Sequence, residues 1–251
     1  MARIMILVVA YNAETTLAMV LDRIPCAILA KVEQIVVFDD ASQNSTYHVG
    51  RSYREDNRLA STQLRVFRNP VNLMYGGNQR RGYQYAIEGR FDFVVLLHGD
   101  GEYAREVMQD LLTPLETGQA QMVMGSRMLV QGTAQQGNMP RYKFVGNRNL
   151  TWLENRLSGT HLSEFHSGYR AYSVAGLRSI PLPSITTNWH FDTQLIFQLL
   201  KRGYRIVEVL IPTYYGDEIC HVNGIPYALH CIWQTAQFAL LDRYRRSRGR
   251  A

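Results

Sequence analysis

Phe93-Val94-Val95-Leu96-Leu97-His98-Gly99-Asp100-Gly101-Glu102 is the stretch that decides the fold. Five consecutive apolar residues leave no polar face, which fits a strand covered on both sides, as in a parallel sheet. The run stops abruptly at a polar cluster. Ligands of open α/β sheets gather beyond the carboxyl ends of the strands, so a polar cluster there is a candidate site. Asp100 and Glu102 offer two hard oxygen donors one residue apart, and Gly99 and Gly101 permit tight bends and close approach of a ligand. Mg²⁺ or Mn²⁺ is commonly held by one or two carboxylates together with substrate phosphates. The alternative is an acidic turn that caps a helix starting near Arg105.

On either side of this stretch, strand-like and helix-like segments alternate. Residues 4–9, 34–38, 64–67, 91–97, 122–124 and 205–209 read as strands. Residues 15–24, a segment from about Ser45, and residues 75–88, 105–116, 143–157, 190–202 and 226–245 read as helices. That alternation predicts an α/β fold, with a mostly parallel, Rossmann-like sheet and helices on both faces. Residues 130–140, with Gly132, Gly137, Asn138 and Pro140, read as a loop and a candidate lid. No internal repeat or linker interrupts the pattern, which predicts one domain over residues 1–225 and a C-terminal helix with a basic tail over 226–251.

Two further strands end in polar groups: Ala10-Tyr11-Asn12 after the first, and Asp39-Asp40-Ala41-Ser42 after the second. Neighbouring strand ends would bring all three clusters into one cleft. Asp39 and Asp40 are candidates for a base or ribose contact; the alternative is a helix-entry turn capped by Asn44 or Ser45. Neither GxGxxG nor GxxxxGK[ST] is present, so the dinucleotide fingerprint and the P-loop are excluded.

Bulk properties narrow the class. Hydrophobic residues make up 46% and charged residues 19% of the 251, as in a globular protein. The apolar runs are too short to span a bilayer. The opening run leads straight into Ala10-Tyr11-Asn12 and reads as a strand, not a cleaved leader. Of the net charge of +6, +4 lies between Asp242 and Arg250, five arginines against one aspartate. The body is nearly neutral, which argues against nucleic acid as a partner. Cys26, Cys220 and Cys231 have no paired spacing and fit reduced thiols in the cytoplasm.

In order, these segments resemble the family 2 glycosyltransferases of GT-A fold, especially the branch similar to dolichyl-phosphate mannose synthase. Ala10-Tyr11-Asn12 with Glu14 resembles PAYNE, and Val37 through Thr46 resembles VVDDGSxDxT. The stretch from Asn72 through Gly76-Gly77-Asn78 to Gly82 resembles N-x-G-x-G-x-A-x-x-x-G. His98–Glu102 stands where that branch carries DADLQ. Gly125-Ser126-Arg127 matches GSR, Ser167-Gly168-Tyr169-Arg170 matches SGFR, and Glu208-Val209 with Ile211 matches EVPI.

The resemblance implies an inverting, metal-dependent hexosyltransferase of cell-envelope or glycan biosynthesis. Val9, Ala10, Tyr11, Glu14, Asp39, Gly77, His98 and Gly99 would bind a UDP- or GDP-linked sugar. Asp100 and Glu102 would hold Mg²⁺ or Mn²⁺, and Arg127 would reach the donor's phosphates or sugar. Arg170 would help in the acceptor region. Three departures stand out. His98 replaces the first Asp of DADLQ, Ala13 replaces the first Glu of PAYNE, and the branch's late Arg and Lys have no match in Tyr214–Glu218 or His221–Gly224. GDP-mannose is therefore not implied as the donor.

A phosphate acceptor, such as a polyprenyl phosphate, needs no general base. A hydroxyl acceptor does, and Asp192 is the first candidate, with Glu164 and His166 behind it. Asp192 reads equally as a helix N-terminal acid, and Arg127 as a surface ion pair. Residues 227–241 are largely apolar and an arginine cluster follows. This pattern fits peripheral contact with the inner face of a membrane, or else a core-packing last helix. Two other functions stay open: a non-catalytic nucleotide-sugar binding module, and a nucleotidyltransferase, although the latter wants a glycine-rich basic loop where Ala10-Tyr11-Asn12-Ala13 stands.

Overall fold

The structure is a computed structural model and describes residues 2–56, 59, 63–101, 105–212 and 224–248. Among the described residues, seven strands form one sheet: β1 (Ile4–Ala10), β2 (Val32–Asp39), β3 (Leu64–Arg68), β4 (Phe93–His98), β5 (Met122–Ser126), β6 (Arg170–Ser173) and β7 (Ile206–Leu210). Their order is β3-β2-β1-β4-β6-β5-β7. Only β6 runs against its neighbours β4 and β5. The chain leaves β1 toward β2 and β3, then returns to β1's other side with β4. This reversal opens a crevice at the carboxyl ends of β1 and β4.

The continuous apolar runs behave as expected of strands covered on both sides. Ile4, Ile6 and Val8 of β1 face one core with Ile35, Val37, Val95 and Leu97. Met5 and Leu7 face the other with Val36, Phe38, Val94 and Leu96. The first core is closed by α1 (Leu17–Asp22), α3 (Thr46–Glu55) and α5 (Met108–Glu116), while α2 (Cys26–Leu29) adds Ile28. The second is closed by α4 (Met74–Glu88), α8 (Val174–Arg178) and α9 (Phe191–Leu200), with Phe238 of α10 (Gly224–Arg248). Full burial of each such side chain contributes about 1.5–3 kcal/mol, so these two layers are the main source of stability.

Three expectations need correction. Arg170–Ser173 is a strand, although Arg-Ala-Tyr-Ser has no apolar run; it exists because β4 and β5 both pair with it. Residues 130–140 are not wholly loop. Gly132 takes φ +92° and starts the short α6 (Thr133–Gln136), and α7 (Arg141–Ser158) follows at once. The first helix covers only Leu17–Asp22, because Thr16 lies outside it and donates its hydroxyl to the Gly99 carbonyl, 2.6 Å away. Asn44 is the residue that accepts the Thr46 amide at 3.2 Å, while the Ser45 side chain makes no cap. Among the described residues no helix is long and apolar enough to cross a membrane.

Candidate active site

Backbone hydrogen bonds continue past the strand ends and draw the polar clusters together. The Gly99 amide donates to Val9, the Asp40 amide to Ala10, and the Asn69 amide to Asp39, all at 2.8–2.9 Å. A Cβ on Gly99 would lie 3.0 Å from that of Ala10, so a side chain there would crowd β1. Asn12 and Ala41, just beyond β1 and β2, have φ of +52° and +56°. Two non-glycine residues in that region, side by side at strand ends, hold strain where the fold overdetermines them. The Asn12 amide donates to Ser42 Oγ (2.9 Å), Gln43 donates back to Asn12 Oδ1 (3.0 Å), and the Ala13 amide donates to Thr46 Oγ1 (2.8 Å). Glu14 accepts the Ser45 amide at 3.3 Å.

The two aspartates of β2 have different surroundings. Asp39 is fully buried and accepts the Ser42 hydroxyl, with Arg68 Nε 3.4 Å from its Oδ2. Asp40 accepts the Leu73 amide and Asn69 Nδ2, both at 2.8 Å. Asn69 also donates to Asn78 Oδ1, and Asn78 donates to the Phe38 carbonyl. Burial pushes the Asp40 carboxyl up, against the opposing pull of those hydrogen bonds. Asp40 thus ties β2 to the start of α4. Gly77 lies in that first turn, where a Cβ would meet the Leu73 side chain at 2.9 Å.

His98 ends β4 and is paired in register with Val9. Its ring lies 5.7 Å from that of Tyr75, which stacks on Trp189 at 4.7 Å. The Tyr75 hydroxyl donates to Asp192 Oδ2 at 2.7 Å. Asp192 stands in the first turn of α9, and its Oδ1 is 3.4 Å from Nη1 of the wholly buried Arg170. Tyr75 therefore connects the β4 end to Asp192, a link across 117 residues. The sequence offered no signal for Tyr75 beyond the Asn72–Gly82 motif that contains it and Asn78, none for Trp189 or Asn69, and marked Asp40 only as a candidate ligand contact.

Asp100 is exposed at the mouth of the crevice, just before Gly101 with φ +86°. Tyr11 is also exposed. Glu102, Tyr214–Glu218, Cys220 and residues 221–223 lie outside the described residues. The structure thus gathers Val9, Ala10, Tyr11, Glu14, Asp39, Gly77, His98, Gly99 and Asp100 at the ends of β1, β2 and β4, with Asp192 reached through Tyr75.

Arg127 is held elsewhere, past the end of β5. It is 6% exposed, and its guanidinium and backbone amide both donate to Glu164. Burial pushes Glu164 up, but the charge and hydrogen bonds of Arg127 outweigh it, so the net shift is downward. Asn147 also donates to Glu164, at 2.9 Å. This pair is buried, not superficial as one sequence alternative had it, and it occupies Glu164, which therefore makes a poor base. His166 Nε2 lies 3.0 Å from Glu154 and its Nδ1 2.8 Å from the Tyr227 hydroxyl.

Comparison with known proteins agrees with this architecture. An undecaprenyl-phosphate mannosyltransferase of Micrococcus luteus is 26% identical over 214 residues, covering 83% of this chain and 82% of that protein. A polyprenol monophosphomannose synthase of Mycolicibacterium smegmatis is 24% identical over 251 residues, covering 98% and 91%. A solved structure of glucosyl-3-phosphoglycerate synthase from Mycobacterium tuberculosis, in complex with Mn²⁺, UDP-glucose and phosphoglyceric acid, superposes with a TM-score of 0.70. Its identity is 19%, over 95% of this chain and 80% of that one, and the shared fold is the GT-A fold. The model of glycosyl transferase family 2 matches residues 5–180, most of the chain and all three strand-end clusters, and so this protein belongs to that family and is a glycosyltransferase.

Proposed function

We propose that the protein moves a sugar from a nucleoside-diphosphate donor to a polyprenyl phosphate at a membrane surface, with inversion at the anomeric carbon. The observation that carries this reading is the convergence of the β1, β2 and β4 ends on one crevice. The nucleotide would lie across Val9, Ala10, Tyr11, Glu14, Asp39 and Gly77, with its diphosphate toward His98, Gly99 and Asp100. A UDP-linked sugar is favoured by the M. tuberculosis neighbour and its bound donor.

The residues fit a divalent cation of the Mg²⁺ or Mn²⁺ class. Asp100 is an exposed hard donor at the strand end, followed by a left-handed glycine that lets the chain turn around a ligand. His98 alongside it favours Mn²⁺, since imidazole is a poorer partner for Mg²⁺. Asp100 and Glu102 would hold the ion, which when bound offsets the charge gathering on the departing diphosphate.

Asp192 would then orient Tyr75 beside the sugar; a phosphate acceptor needs no proton removed. With a hydroxyl acceptor, Asp192 is the carboxylate available as base. Arg127, held at the β5 end by Glu164, would reach the donor's phosphates or sugar.

The acceptor class draws support from α7 and α10, which pack together. The inner side of α10 buries Cys231, Thr235 and Phe238, while Ile225, Leu229, Trp233 and Leu240 are exposed on the other side. Tyr142, Val145 and Trp152 of α7 are exposed as well. An apolar helix face followed by clustered arginines suits an anionic bilayer surface. In this reading residues 1–225 are the catalytic domain and 226–251 the membrane-facing extension.

The test is transfer from UDP- and GDP-sugars to a short polyprenyl phosphate, with Mn²⁺ and after chelation, by wild type and Asp100→Ala. Metal-dependent transfer by the wild type alone supports the assignment. Equal activity of both proteins after chelation sinks it.

A further inference from the structure

Away from the strand ends, three side chains of different chemistry meet inside the protein. Glu154 comes from α7, His166 from the segment before β6, and Cys231 from α10. One donor atom of each lies within 4.8 Å of the other two. Glu154 and Cys231 are fully buried, and the His166 side chain is 8% exposed.

Glu154 is the group in need of explanation. Among the described residues, both its carboxylate oxygens are buried without a hydrogen bond, and so is His166 Nε2. Glu154 Oε2 and His166 Nε2 are 3.0 Å apart yet lack hydrogen-bond alignment. A buried carboxylate without donors costs several kcal/mol, on the order of that for other uncompensated buried charges. Native proteins resolve this by pairing or by coordinating a metal. Here the lone pairs of a carboxylate, an imidazole and a sulfur face one another, and the only cation within the group would be a protonated His166.

We propose that Glu154, His166 and Cys231 form a site for a borderline-soft divalent cation of the zinc class, distinct from the hard-cation site at Asp100. Mixed sulfur, nitrogen and oxygen donors select such an ion over Mg²⁺. Three protein ligands leave a fourth position for water. Metal–ligand bonds of about 2.0–2.3 Å place donors roughly 3.3–3.7 Å apart, so the trio closes with side-chain shifts of about 1 Å. The surroundings already fit. Tyr227 engages His166 Nδ1 and leaves Nε2 for the metal, and Thr193 Oγ1 lies 3.5 Å from Cys231 Sγ. Binding would replace the Cys231 S–H bond by a sulfur–metal bond and release the proton to solvent. The ion would fasten α10 to α7 and to the segment that leads into Ser167–Arg170.

The full-length protein, purified after growth with zinc, is expected to retain about one zinc per chain through gel filtration in excess Mg²⁺. Its cobalt(II) form should show a thiolate-to-cobalt charge-transfer band. Cys231→Ser should lose that band and at least about tenfold in zinc affinity, whereas Asp100→Ala should keep both. Zinc well below one per chain, with no rise in Tm on adding Zn²⁺, overturns the proposal. So does equal retention by Cys231→Ser, or loss of zinc in Asp100→Ala. Should Cys231→Ser fail to fold, the wild-type cobalt spectrum decides alone, and absence of the band rejects the site. None of these readouts depends on glycosyl transfer, so this site and the proposed reaction stand or fall separately.

Discussion

The two halves of the sheet handle charged groups differently. In β3-β2-β1-β4 the middles of β1, β2 and β4 are apolar and the working residues sit at or just past the strand ends, where Asp39 and Asp40 are buried and Tyr11 and Asp100 are exposed. In β6-β5-β7 and the helices behind them, cations and anions are buried together: Arg127 with Glu164, and Arg170 with Asp192. The first half keeps its crevice through close backbone approach. The second keeps its shape through charged pairs that must be satisfied internally. A crevice of the first kind presents a ligand with backbone and exposed carboxylate. A wall of the second kind is stiff, and each of its charges depends on its partner.

If that contrast holds, the largest stability loss should come from splitting a buried pair. Arg127→Ala leaves Glu164 uncompensated and is expected to lower unfolding free energy by about 3–5 kcal/mol, measured by urea denaturation. The pair also predicts a pH signature. The folded-state pKa of Glu164 lies below its unfolded value, so its contribution is present above the ordinary glutamate range and fades as pH falls through the folded value. Acid titration of Tm should show a shallower decline in Glu164→Gln than in wild type.

Asp100→Ala should behave in the reverse manner, with Tm little changed and transfer reduced on the order of 10²–10³-fold or more. A large stability loss in that variant would erase the contrast between the halves. Gly76→Ala probes the seam between them. Its Cβ would fall 2.5 Å from that of Phe191, and the overpacking is expected to cost about 1–3 kcal/mol.

Smaller still is Tyr75→Phe, which removes the hydroxyl donated to Asp192. A loss of about 1 kcal/mol in stability is expected, with a larger effect on kcat than on KM if Tyr75 faces the sugar. Last, Trp233→Ser should leave the unfolding free energy within about 0.5 kcal/mol of wild type and weaken flotation with anionic liposomes. Unaltered flotation would remove the α10 face from the membrane reading.

The difference between the halves also decided what could be read in advance. β1, β2 and β4 announce themselves because the middle of a strand covered on both faces must be a continuous apolar run, and that is a local property. The clusters at their ends are equally local. Arg170–Ser173 gave no such signal, since its polar and small residues become a strand only between two others. The same holds for residues 130–140, where a short helix hides among glycines. Asp192 was legible as a candidate, but its tie to Tyr75 was not, because 117 residues separate them. Arg127 was legible as a candidate donor contact, but its partner was not. Its burial against Glu164 rests on where β5 and the segment before β6 meet, which no spacing records.

By itself the sequence determined the fold class, every strand along the chain but Arg170–Ser173, and the acidic segment around Asp100. Each of these follows from short-range patterns of polarity and from glycines at defined offsets. Only the tertiary structure decided which charges are buried in pairs, that Tyr75 joins the His98 strand end to Asp192, and that Glu154, His166 and Cys231 share one interior site. Those groups come from distant elements, and their energies depend on desolvation and on partners brought within a few ångströms by packing, quantities that a linear pattern does not contain.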